Sequence, residues 1–183
     1  EVGRNRQALK SLRELAEMLA APVIDMEGRF AFPNTHPLNL TNAREQALRE
    51  ADVVLALDVP SLGVPLGPTV REREAFQPVI RPGTKVIHIT LLDLERQSWV
   101  SDNMWLLPVA VPIAADTSIA LPQLIELCRA RLSTDSRKRI DSRRGKAEAI
   151  FSEARKRSQA WIEQSWNQRP ISSARLFGEI NAR

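Results

Sequence analysis

Leu9, Leu12, Leu15, Ala16 and Leu19 recur at helical spacing, with Lys10, Arg13, Glu14 and Glu17 between them, so this stretch predicts an amphipathic helix. Pro22 follows, and the apolar run Val23-Ile24-Asp25-Met26 predicts a short strand. A short helix is expected across Ala43 to Glu50, with Asn42 as its cap and Glu45 closing a capping box. Asp52 to Leu57 is a nearly continuous apolar run and Lys85 to Ile89 is another, as expected of strands buried on both faces. A third strand candidate lies in Leu107 to Ala114, interrupted by Pro108 and Pro112. A helix from about Ser118 to Leu132 should turn Leu121, Leu124, Ile125, Cys128 and Leu132 inward. Its Pro122 is expected near the first turn, where proline is tolerated.

Short buried strands that alternate with amphipathic helices predict an α/β fold, a parallel sheet with helices on both faces. The gap between Leu57 and Lys85 departs from that rhythm. It holds five of the twelve prolines together with Gly63, Gly67 and Gly83, so it reads as loop with one helical turn around Arg71 to Phe76. Beyond Leu132 the character changes again. Ser133 to Asp141 is polar and reads as a linker, and Arg143 to Gln168 can form one long helix. Its apolar stripe is thin: Ala147, Phe151 beside Ile150, Ala154, then Trp161 or Ile162, and Trp166. Such a stripe cannot build a core of its own and should lie against another surface. After Arg169-Pro170, Ile171-Ser172-Ser173 predicts the cap of a further helix.

Charge sharpens this division. Residues 134–183 carry 12 Lys/Arg and 6 Asp/Glu, net +6; the remainder holds 26 − 12 = 14 basic and 22 − 6 = 16 acidic residues, net −2. The basic tail has acids interspersed and no Gly-rich or aromatic-interleaved recognition motif, so a solvated linker or helix is favoured over a nucleic-acid partner. No apolar run reaches the roughly 20 residues of a membrane span, so no membrane partner is expected either. The one cysteine, Cys128, permits no disulfide within the chain, and a reducing, cytoplasmic setting is the expectation. The chain opens without Met on Glu1-Val2-Gly3, which suggests a piece of a longer polypeptide.

Ligands of an open parallel sheet bind beyond the carboxyl ends of its strands. The loops assigned there offer Gly3-Arg4-Asn5, a possible backbone-amide cradle for phosphate, and the stretch G28-R-F-A-F-P-N-T-H-P-L-N-L40 with His36. Further along come Asp58-Val59-Pro60, Thr90 to Asp93, and Asp116 before the Ser118 helix. His36 and His88 have no Cys or Glu at ligand spacing, so no metal site is expected. There is no GxGxxG, no P-loop and no nucleophile elbow. The chain alone is therefore not expected to be an enzyme. Pro33 and Pro37 make the His36 stretch a rigid turn on the residues alone.

Six segments in order resemble a known family. They are Gly3-Arg4-Asn5; Leu15-Ala16-Glu17-Met18-Leu19 with Pro22-Val23; Phe32-Pro33-Asn34-Thr35-His36-Pro37-Leu38; Ala51 to Leu57; Lys85 to Ile89; and Ala115-Asp116. Together they are similar to the central domain of thiamine-diphosphate-dependent enzymes of the acetolactate synthase and benzoylformate decarboxylase group. The resemblance implies a three-layer Rossmann-like domain over residues 1–132. A linker and long basic helix would fill 133–169, and 170–183 would be the start of a diphosphate-binding domain. It also implies a parent that acts as a decarboxylase or carboligase on a 2-keto acid, with thiamine diphosphate and Mg2+ held by the flanking domains. The expected partners are those domains, in a homo-oligomer (a dimer or tetramer).

Through the same resemblance, the cofactor-facing candidates are Gly3, Arg4, Asn5, His36 and Asp116, with no catalytic residue in the chain. Members that bind FAD continue the strand ending at Leu57 with Gly-Ala-Arg, where this chain has Asp58-Val59-Pro60. Their His-Ile-Asp-Ile-Asp is here His88-Ile89-Thr90-Leu91-Leu92. These departures put an acid where a phosphate would sit and remove two carboxylates suited to nucleotide contacts, so bound FAD or ADP is not expected. A stand-alone Rossmann-like module for FAD, ADP or NAD is the alternative, and a basic-tailed nucleic-acid binder a third.

Overall fold

A computed structural model of the chain describes residues 2–26, 30–67, 78–92 and 107–181. A 3-10 turn at Val2–Arg4 leads into α1 (Arg6–Leu19), and another at Thr41–Ala43 leads into α2 (Arg44–Glu50). Then follow β1 (Val53–Leu57), the short α3 (Gly63–Leu66), β2 (Lys85–Ile89) and β3 (Val111–Ile113). Three helices complete the chain: α4 (Thr117–Ala130), α5 (Thr134–Ser165) and α6 (Ser173–Asn181). The strands are parallel in the order β1-β2-β3, with Val53 beside Lys85 and Ile87 beside Val111.

The alternation along β1 explains why both faces are covered. Leu55 and Leu57 pack toward one core, built from α1 (Leu12, Leu15, Ala16), α4 (Leu121, Ile125), Phe32, Leu38, Leu40 and Ala147 of α5. Val54 and Ala56 point the other way, into a core with Val86, Leu48 of α2, Leu62, Leu66 and Val79. A period of two therefore sorts one strand between two layers, giving helices on both faces as the sequence predicts.

Several local expectations are corrected. The segment 23–26 is not a strand. Val23 makes one parallel bridge to Asn39, and the next amide, Asp25 N–H, donates to the Thr41 hydroxyl at 2.9 Å, so a side chain ends the ladder. Asn42 does not cap α2. It sits within the 3-10 turn, and the N-cap is Ala43 with no side-chain bond. Pro122 falls inside α4 and not in its first turn, leaving the Ser118 carbonyl without its i+4 donor.

Residues 134–141 are not a linker but the first turns of α5. Ser133 accepts from Ser136 N–H at 3.2 Å, and the helix runs unbroken for 32 residues. Ile140, Ala147 and Ala154 are buried at seven-residue spacing, a stripe narrow enough to pass as linker composition. Trp161 remains 55% exposed, whereas Trp166 packs on α6, where a Cβ at Gly178 would come within 2.7 Å of its ring. The expected cap of α6 is present. Ser172 accepts from Arg175 N–H at 3.1 Å and donates to the Ser165 carbonyl at 2.8 Å. The turn expected at 71–76 lies outside the described residues. Among the described residues, no helix is long and apolar enough to cross a membrane.

Candidate functional site

The candidate side chains are held in two separate places. Asn5 is the N-cap of α1, and its carboxamide oxygen accepts from Gln7 N–H at 2.8 Å and Ala8 N–H at 3.4 Å. The amides that a phosphate would use at this helix end are thus taken by Asn5, while Gly3 and Arg4 lie in the preceding 3-10 turn. Asp116 caps α4 in the same way. It accepts from both the amide and the hydroxyl of Ser118, at 2.7 and 2.6 Å, and the hydroxyl chiefly, then the amide, holds its carboxyl below the ordinary value. Next to it, Thr117 donates to Asp58 at 2.6 Å. Asp58 ends β1 in the left-handed region, φ 49°, a conformation that Asp tolerates better than most residues. This ties the carboxyl end of β1 to the start of α4. His88 in β2 bonds through Nε2 to the Val59 carbonyl at 3.1 Å, which is a core role.

His36 sits at the other end of α1. Its Nδ1 accepts from Leu38 N–H at 3.1 Å, so the ring proton belongs on Nε2, which donates to Glu17 at 3.1 Å. The ring also meets the buried Phe32 edge-on, with centroids 4.9 Å apart. Asn5 and Glu17 are twelve residues apart on α1, about 18 Å at 1.5 Å per residue. His36 is therefore not brought together with Gly3, Arg4 or Asn5, and Asp116 has its hydrogen bonds with Ser118 of α4. His36 faces inward as a brace between its loop and the last turn of α1.

The same Glu17 oxygen accepts from Arg13 Nε at 2.8 Å. The Arg13 bond first, and the His36 bond second, hold the Glu17 carboxyl below its ordinary 4.5. Because the folded-state value is depressed, the stabilisation is present above the unfolded value and is lost as pH falls through the folded one. Acidification from about pH 5 toward pH 3 should accordingly destabilise the wild type more than Glu17→Gln, by a small amount because this side chain is 42% exposed and screened. Urea unfolding at several pH values measures it; parallel pH profiles for the two proteins would refute the link.

A cleft of about 270 Å³ opens between Asp25 and residues 30–43 on one side and α5 on the other. Asp25, Phe30, Asn34 and Asn42 line the first side, and Phe151 and Arg155 the α5 side. A sequence search for catalytic spacing passes over it, because its two walls lie more than a hundred residues apart in the chain. Among the described residues, no group of His, Cys, Asp and Glu could hold a metal ion.

The family model described as thiamine pyrophosphate enzyme, central domain, covers residues 2–124. No curated protein matches the chain.

Proposed function

The chain belongs to the central-domain family of thiamine pyrophosphate enzymes, and from that premise we propose that it is the spacing and orienting unit of a 2-keto acid decarboxylase or carboligase, similar to the acetolactate synthase group. It has no catalytic group of its own in this reading. Thiamine diphosphate and Mg2+ would be held by flanking domains of the polypeptide, in a dimer or tetramer. The reading is supported by how the candidate groups are engaged: Asn5 and Asp116 cap helices, Asp58 is tied to Thr117, and His36 braces α1. Asp58 and Asp116 also place two carboxylates at the strand ends, an arrangement that repels a diphosphate and disfavours FAD, ADP or NAD.

The test has two arms. FAD, ADP and NAD titrated into the 183-residue chain to about 1 mM should give no saturable signal; micromolar affinity for any of them would favour a nucleotide-binding module instead. The coding sequence around this chain, expressed whole, should release CO2 from a 2-keto acid only with thiamine diphosphate and Mg2+ present. A whole polypeptide that neither binds thiamine diphosphate nor turns over a 2-keto acid would overturn the parent assignment.

A further inference from the structure

The cleft that Asp25 and residues 30–43 form with α5 combines features that no helix cap or core packing accounts for. Its base is apolar and closed, with Phe32, Ala43 and Ala154 all buried. Two rings border it, Phe151 and Phe30, and Phe30 is 63% exposed. The Arg155 guanidinium lies over the Phe151 ring at 5.7 Å, a stacking that stiffens a long side chain. Among the described residues, Arg155 makes no ion pair, and the Asn34 and Asn42 carboxamides have no hydrogen-bond partner. Asp25 is already held on its inner side, where one oxygen accepts from Ala31 N–H at 2.9 Å and Phe32 N–H at 3.0 Å.

Residues 32–41, which form part of one wall of the cleft, are also preset. Asn39 donates to the Phe32 and Pro33 carbonyls at 3.4 and 3.2 Å and accepts from Thr41 N–H at 3.1 Å. Walls fixed by their own hydrogen bonds lose little on binding.

We propose that this cleft binds an arylalkyl monocarboxylate, with the aromatic ring between Phe30 and Phe151 and the carboxylate on the Arg155 fork. A guanidinium matches a carboxylate through two parallel hydrogen bonds. Asp25 on the facing wall rejects a dianion such as a phosphate monoester, and it can accept from a ring N–H or O–H. The volume, at the low end for small-molecule sites, suits one or two rings. Arg155 and Phe151 lie beyond the matched residues 2–124, so the proposal stands apart from the family assignment and from the reading of the parent enzyme.

The probe is 3-phenylpropionate, titrated into the 183-residue chain and followed by amide NMR. Saturable shifts at Ala31, Phe32, Asn42 and Ala154 are expected, with a dissociation constant on the order of 1 mM for so small and open a site. Arg155→Met keeps the stem over Phe151 and should weaken binding about tenfold, while leaving the remaining amide spectrum in place. Phenethylamine, which exchanges the anion for a cation, should bind at least about tenfold more weakly. The proposal is overturned by absence of saturable shifts at these amides, by equal affinity of Arg155→Met, or by phenethylamine binding as well as the acid.

Discussion

Arg44→Met is expected to lower the unfolding free energy by about 3–5 kcal/mol, as large a loss as a single side chain of this domain should produce. Arg44 is only 9% exposed, and its Nη1 donates to three carbonyls: Val64 at 3.2 Å, Pro65 at 2.6 Å and Gly67 at 2.7 Å. These belong to the end of α3, where carbonyls have no helical partner and a cation complements the dipole. Methionine fills similar volume but strands those acceptors away from water. Most of the loss should therefore come from desolvation and little from packing. Arg44→Lys should recover about half, since an ammonium can reach one or two of the carbonyls but lacks the planar fork. Urea denaturation of the three proteins at equal m-value decides it. A loss under about 1 kcal/mol for Arg44→Met would mean that water reaches the carbonyls in the native state.

Nothing in the spacing around Arg44 announces that role, and the contrast with β1 is instructive. The apolar run at 53–57 could be placed as a strand covered on both faces because burial on both faces leaves no polar position to misread. The cap expected at Asn42 failed for a local reason: the Thr41–Ala43 turn already carries an Ala43 N–H to Leu40 bond at 2.9 Å, which displaces the helix start by a residue or two. The linker expected at 133–141 failed because a helix that docks by one residue in seven looks polar everywhere else. His36 stood out in the sequence as one of two histidines among prolines, but a histidine's partners are chosen by the fold. Its partner, Glu17, lies nineteen positions away on a different element. The cleft was invisible for the same reason, since Asp25 and Arg155 come to line one cavity only when α5 folds back.

That folding back rests on two arginines, and the double variant Arg143→Ala/Arg144→Ala should release much of it, with a loss of about 3 kcal/mol. α1 ends on Ala20 in the left-handed region, φ 46°, and has no basic residue in its own last turn. Two of its terminal carbonyls are served from α5 instead. Arg143 donates to Leu19 O through Nε at 3.0 Å and Nη2 at 2.6 Å, and Arg144 donates to Glu17 O at 2.6 Å. The cations thus sit at the negative end of α1: Arg143 satisfies the Leu19 carbonyl, which would otherwise need water, and Arg144 adds a second donor to the Glu17 carbonyl, which also accepts from Ala20 N–H at 3.4 Å. Arg143 makes two bonds to one carbonyl, so Arg143→Ala should account for more of the loss than Arg144→Ala. Hydrogen exchange gives the sharper readout. Amides of α5 between Ile140 and Ala154 should exchange faster in the double variant, whereas β1 and β2 keep most of their protection because neither core cluster is dismantled. If α5 protection is unchanged and stability falls by less than about 0.5 kcal/mol, burial of Ile140, Ala147 and Ala154 alone holds the helix, and the arginines only decorate the joint.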